Sequence, residues 1–251
     1  VRFAIAVLVT LARVARAAPD DLVARPIVLA PGQLEADLTV EMNLAPGEIA
    51  KPLSFAPDAW FGANDTLTIG IVHSDPAIDR IESGLGLCVN GCNHVYSGAG
   101  IDVLRSALAG ELAIAPRARL LVLEDTLRPI SKPGVTFGML ARWTRGRWAV
   151  SADPYVYVGL ANRDAGNGAA VFLPVTLSAQ PTCRWAIDLR TGWNSDVAVW
   201  RDGWHIPAWL GARARATDHV DVGAAFGFFS ALGPQNNASQ RAAFVIVGWR
   251  S

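Results

Sequence analysis

Two groups of side chains are chemically suggestive. The first is Cys88-Val89-Asn90-Gly91-Cys92-Asn93-His94, where two thiols and an imidazole sit close together. Cys88, Cys92 and His94 could begin a zinc site, but no fourth ligand is evident. In an exported chain a disulfide joining Cys88 to Cys92 is the expectation, with Cys183 left unpaired. The second group is the four histidines, His73, His94, His205 and His219. Hydrolysis by a side-chain nucleophile needs a base within reach and a third group to orient it. His73 beside Ser74, and His205 downstream of Ser195, are the only leads, and no nucleophile elbow surrounds either serine. No phosphate-cradling glycine loop or zincin motif occurs. The expectation is a non-enzyme with no metal and no cofactor. The remaining chemistry is carried by charge, and its meaning depends on the elements that hold it.

Period two dominates the chain. Leu34, Ala36, Leu38, Val40, Met42 and Leu44 fall on one face of a strand, and Glu35, Asp37, Thr39, Glu41 and Asn43 on the other. A helix would mix these sets around its circumference. Similar alternation recurs near 53–61, 66–71, 95–108, 112–123, 135–143, 148–158, 171–180, 184–190, 206–215 and 220–228. A last strand near 241–250 is apolar on both faces, which brings the total to about 12. Pro57, Pro154, Pro174 and Pro207 fall inside these runs and should mark bulges or strand ends. Tight connections at 62–65, 109–111, 144–147, 180–182 and 215–219 alternate with longer ones at 45–51, 75–94, 124–134, 161–169, 194–204 and 229–240.

Composition narrows the setting. The chain has 251 residues, 51% of them hydrophobic, with 22 basic and 22 acidic side chains. Zero net charge argues against a nucleic-acid partner. No apolar run is long enough for a membrane-spanning helix. Residues 1–17 read as a signal peptide: Arg2, an apolar run from Phe3 to Ala12, then Ala15-Arg16-Ala17 as the cleavage site. Residues 18–32 read as a periplasmic lead-in and 33–251 as the folded domain.

Alternation alone fits either a soluble sandwich with its apolar face inward or a membrane barrel with that face outward. Aromatic placement favours the barrel. Phe61, Trp143, Trp148, Trp185 and Trp249 lie on or beside the apolar face next to short turns, and Tyr96, Trp193, Trp200, Trp204 and Phe228 lie near the long loops. Two such bands match the aromatic girdles of a membrane barrel.

The chain resembles the uncharacterised outer-membrane β-barrel proteins of Gram-negative bacteria. The resemblance begins with Arg25-Pro26-Ile27-Val28-Leu29 and Pro31-Gly32 before an alternating strand. It continues through strand–turn units such as Trp60-Phe61-Gly62-Ala63-Asn64-Asp65-Thr66-Leu67-Thr68-Ile69-Gly70. It covers nearly all of the exported chain. It implies an all-β, antiparallel, up-and-down transmembrane barrel with short periplasmic turns and long extracellular loops. It also implies contact with outer-membrane lipid and assembly by the barrel-assembly machinery. Many such barrels end in an aromatic residue, whereas here Arg250 and Ser251 follow Trp249. The pattern does not bear on oligomeric state.

In a barrel the polar face lines the lumen. The first two strands would bring Glu35, Asp37, Glu41 and Asp58 there. The fifth and sixth would bring Arg117, Arg119 and Arg142. The ninth and tenth would bring Arg184, Arg190, Arg213 and Arg215, tempered by Asp188. An acidic wall facing a basic one would orient polar solutes. The expected function is a passive pore for small polar solutes in the cell outer membrane. The alternatives are a structural or adhesive barrel that conducts nothing and a lipid-modifying enzyme.

Overall fold

The computed structural model describes residues 22–73, 86–91, 95–96, 98–124, 130–234 and 236–251. The signal-peptide reading of 1–17 lies outside them, as do Ser74, Cys92 and His94.

Strands form where the alternation is strongest. β1 (Leu34–Asn43), β2 (Leu53–Asn64) and β3 (Leu67–Val72) open the chain. β4 (Leu87–Asn90), β5 (Gly98–Arg105), β6 (Leu112–Glu124) and β7 (Ser131–Arg145) follow. Then come β8 (Trp148–Ala152), β9 (Tyr155–Gly159), β10 (Ala169–Thr182) and β11 (Trp185–Asp196). β12 (Trp204–Arg215), β13 (Val220–Leu232) and β14 (Arg241–Arg250) complete the set. Among the described residues the one helical element is a 3-10 turn, Arg163–Ala165.

With β8 and β9 taken as one stave and β4 set aside, each strand pairs antiparallel with its chain neighbours, and β1 pairs with both β2 and β14. The result is a closed 12-strand barrel with two extra strands. One extra arises from Pro154: β8 and β9 together form a single stave between β7 and β10, interrupted at Asp153-Pro154. The other is β4, which extends the sheet beside the Leu53–Phe55 end of β2, in a stretch that the sequence reading treats as loop. Pro207 coincides with a register shift between β12 and β13. Pro57 and Pro174 lie within β2 and β10. Pro57 falls between the part of β2 that pairs with β3 and the part that pairs with β4, where it owes neither neighbour an N–H.

The two rims differ. One carries the turns 65–66, 106–111, 146–147, 183–184 and 216–219 and both ends of the barrel wall. There the Leu34 N–H donates to Ser251 Oγ at 2.9 Å, and the Ser251 N–H to the Leu34 carbonyl at 2.9 Å. The opposite rim carries the longer connections.

Burial resolves the choice between sandwich and barrel. Leu210 is 61% exposed and Phe137 60%, with Ile71, Ile101, Leu173 and Val245 also exposed on their strands. Asp102 is 0% exposed and Glu41 3%, with Asp58, Arg119 and Ser178 also buried. A water-soluble fold buries the first set and exposes the second. The strands that carry these residues do the reverse, as a barrel does when its outside meets hydrocarbon, and the buried face also holds apolar Leu104, Leu121 and Phe172.

Candidate functional site

The lumen is built by strand parity and refined by register. On β1, Glu35, Asp37, Thr39 and Glu41 point inward between exposed Leu34 and Leu38 and their neighbours. Asp37 lies opposite Asp58 of β2 in the strand register, so two carboxyl groups share one level of the wall. Asp58 Oδ1 also accepts the His73 N–H at 2.6 Å. Glu35 lies opposite Arg250 of β14 and is ion-paired to it. The acidic residues read from the sequence are therefore gathered on β1 and β2, and Glu35 carries its own counter-charge.

The basic residues of β6 are not a bare wall. Arg119 faces Asp102 across the β5–β6 register. Arg117, two positions along, donates from Nε to Asp102 Oδ1 at 2.9 Å and from Nη1 to Asp153 Oδ2 at 2.7 Å. The Arg119 guanidinium lies 3.5 Å from Asp102 and 3.6 Å from Asp153. Trp60 Nε1 donates to Asp102 Oδ2 at 3.1 Å. Inward parity carries through the β8–β9 break, which aims Asp153 into this cluster between Ser151 and Tyr155. Arg119 also sits over the Tyr155 ring, which stacks on Phe172 at 4.7 Å. Two arginines thus meet two aspartates, and burial of these ions is tolerated because each is paired.

A second group occupies β10 to β14. Arg213 donates from Nε to Asp188 Oδ2 at 2.7 Å and from Nη2 to Asp188 Oδ1 at 3.0 Å, a two-point geometry suited to guanidinium and carboxylate. Ser178 Oγ donates to Asp188 at 2.6 Å. Beside the pair lies a cavity of about 330 Å³, lined by Thr39, Asp188, Arg190, Arg213, Trp209 and Phe244 among others. Trp209, Phe229 and Phe244 form an inward aromatic cluster with centroids 4.7–6.4 Å apart. Sequence parity places Trp209 on the polar face, but only the packing identifies the cluster.

Two expected lumen residues lie at the turn rim. Arg184 is exposed in the turn before β11, because the alternation continues past the point where the strand ends. Arg215 is held at the rim by Asp218 of the β12–β13 turn, at 3.1 Å. Arg142 does point inward and donates to the Arg25 carbonyl.

That contact belongs to a feature without any period in the sequence. The segment before β1 runs inside the turn-side mouth. The Leu22 and Val23 N–H groups donate to Gln180 Oε1 of β10 at 2.7 and 3.2 Å. Their side chains are buried with Ala149 of β8 and Ala186 of β11. Arg25 is ion-paired to Asp221 of β13, with Nη2 3.1 Å from Oδ1. The Leu29 N–H donates to Thr68 Oγ1 of β3 at 2.8 Å. The segment then joins the wall through Gly32 and Gln33, which bond to the backbone of Gly62. A Cβ at Gly62 would overlap the Ala30 carbonyl, so this approach needs glycine.

Phe61, Trp143, Trp148, Trp185 and Trp249 are all exposed on the outside, close to the turn rim. At the loop rim Trp200 is exposed and packs edge-on to Trp193 at 4.6 Å. Cys88 is disulfide-bonded, and Cys183 is a free, exposed thiol. Ser74, beside His73, lies outside the described residues, and the His205–Ser195 lead gains no geometry. Ser195 Oγ donates to the Asp196 carbonyl at 3.2 Å, while His205 Nε2 lies 3.3 Å from Asn194 Nδ2.

No family model matches the sequence, and no curated protein matches it. Solved structures do. The NanC porin superposes with a TM-score of 0.60 at 7% identity, over 86% of this chain and 98% of that one. The KdgM porin, in complex with disordered oligogalacturonate, superposes with a TM-score of 0.52 at 10% identity, also over 86% and 98%. At these identities the likeness is one of fold, and the fold is that of outer-membrane β-barrels.

Proposed function

We propose that this chain is a passive pore for small polar solutes in the cell outer membrane. The observation that carries the reading is the cavity beside Arg190 and Arg213, inside a wall that is polar within and apolar without. A solute entering there meets Thr39, Thr176, Asp188, Arg190 and Arg213 beside the apolar surface of Trp209 and Phe244, and is kept from lipid by the closed strand ladder. The proposed lumen lining is Glu35, Asp37, Glu41, Asp58, Arg117, Arg119, Arg142, Arg190 and Arg213. Phe61, Trp143, Trp148, Trp185 and Trp249 serve as the lower interfacial band, with the turn rim in the periplasm. No residue is assigned a catalytic role.

A second reading is a closed barrel that acts only as a structural or adhesive element. The segment lying in the turn-side mouth favours it. Purified protein in a planar bilayer separates the two. Discrete unit currents support the pore, whereas silence across repeated insertions supports the closed barrel.

A further inference from the structure

The staves run in the cyclic order β1, β14, β13, β12, β11, β10, β8 with β9, β7, β6, β5, β3, β2. Leu22 and Val23 are fastened at β10, β11 and β8, and Leu29 at β3. Those staves face each other across the barrel. Seven extended residues reach about 23 Å, enough to cross the lumen of a barrel this size. Midway along, Arg25 bonds to Asp221 on β13 and accepts from Arg142 on β7, which lie on opposite flanks of the crossing. Arg25 therefore sits near the middle of the mouth, tied on both sides.

We infer that Leu22–Ala30 is the constriction of this pore, a strap held across the turn-side mouth, and that Arg25 is its selectivity-determining residue. The inference rests on the pore reading. The wall holds the strap largely through side chains, namely Gln180, Thr68, Asp221 and Arg142, rather than through the strand ladder that closes the barrel. Such a strap can move without opening the wall. Its guanidinium places a fixed positive charge where any solute must pass, and Asp221 both latches it and tempers its charge. Loss of the latch frees the strap and widens the mouth.

Two variants push charge selectivity in opposite directions while both loosen the strap. Asp221→Asn keeps the strap cation and removes its latch. Unit conductance should rise, and the reversal potential in a salt gradient should move toward anions. Arg25→Ser removes the cation as well. Conductance should again rise, but the reversal potential should move toward cations, and Arg25→Lys should restore part of the wild-type preference. A second measurement follows the strap directly. In a Cys183→Ser background, Val23→Cys should react slowly with a maleimide, and faster once Asp221→Asn is added. Heat-modifiable gel mobility confirms that each variant is a folded barrel. A Val23→Cys thiol that reacts as fast as in unfolded chain overturns the strap. Unchanged conductance and reversal potential in both charge variants of a conducting barrel overturn its role as constriction and leave the pore reading standing. If the thiol is protected but wild type and both variants are silent, the pore reading fails and the inference falls with it.

Discussion

Arg117 and Asp102 meet inside the barrel with Nε 2.9 Å from Oδ1, across β5 and β6, and the carboxylate is wholly buried. The same carboxylate faces Arg119 in the strand register and accepts from Trp60. Asp102 is thus the acceptor around which two guanidinium groups and an indole are organised, so its loss leaves more than one donor stranded. Asp102→Ala should cost about 3–5 kcal/mol, the range for removing one partner of a buried ion pair. Urea titration of lipid-reconstituted protein measures it. A loss under about 1 kcal/mol would mean that water already solvates the cluster as it would a surface pair.

The outer face makes the opposite demand. Phe137 and Thr136 are adjacent on β7, one exposed and one buried. Phe137→Arg should destabilise the reconstituted barrel by about 2–4 kcal/mol, the cost of an arginine facing lipid near the midplane. Thr136→Ser removes one inward methyl and should cost under about 1 kcal/mol. Equal costs, or the reverse order in a lipid-based unfolding assay, would place the apolar face away from lipid.

Topology follows from the rims. An epitope inserted at Asp202, in the connection between β11 and β12, should bind antibody on intact cells. The same epitope at Gly146, in the two-residue connection between β7 and β8, should bind only after the outer membrane is permeabilised. Signal at Gly146 on intact cells would invert the orientation.

The barrel wall was legible because its alternation is a local property. From Leu34 to Asn43 each side chain's face follows from its own parity. Pro154, one of four prolines expected to mark bulges or strand ends, falls between β8 and β9 within a run read as one strand. Parity says nothing about which inward groups meet. Asp102 and Asp153 lie far apart in sequence, and only the β5–β6 register and the β8–β9 break bring them to Arg117 and Arg119. The expected basic wall on the fifth and sixth strands is therefore largely neutralised there. Arg184 fits the parity of β11 but precedes its first residue, because no residue type marks where that strand starts. The crossing of Leu22–Ala30 has no period at all, and its partners are single side chains on distant strands. The Arg25-Pro26 lead-in could be recognised as a segment, but its path through the mouth could not.

Charge selectivity offers the sharpest check on how the lumen is arranged. Arg117 and Arg119 are poor probes, because removing them strands Asp102 and Asp153 and threatens the fold along with the potential. Asp188 and Arg190 are better placed, since both line the cavity on β11 and neither belongs to that cluster. Asp188→Asn takes the carboxylate away from Arg213, so the local field becomes more positive and the reversal potential under a salt gradient should move toward anions. Arg190→Ser should move it toward cations. Asp37→Asn with Glu41→Gln should move it toward anions from β1, which borders the same cavity through Thr39. All three shifts should shrink at 1 M salt, where the Debye length falls to about 3 Å and each charge is screened within the lumen. If the barrel conducts and none of the three changes the potential, the cavity level does not control passage. Control would then lie at the turn-side mouth, where Arg25 and Asp221 face one another.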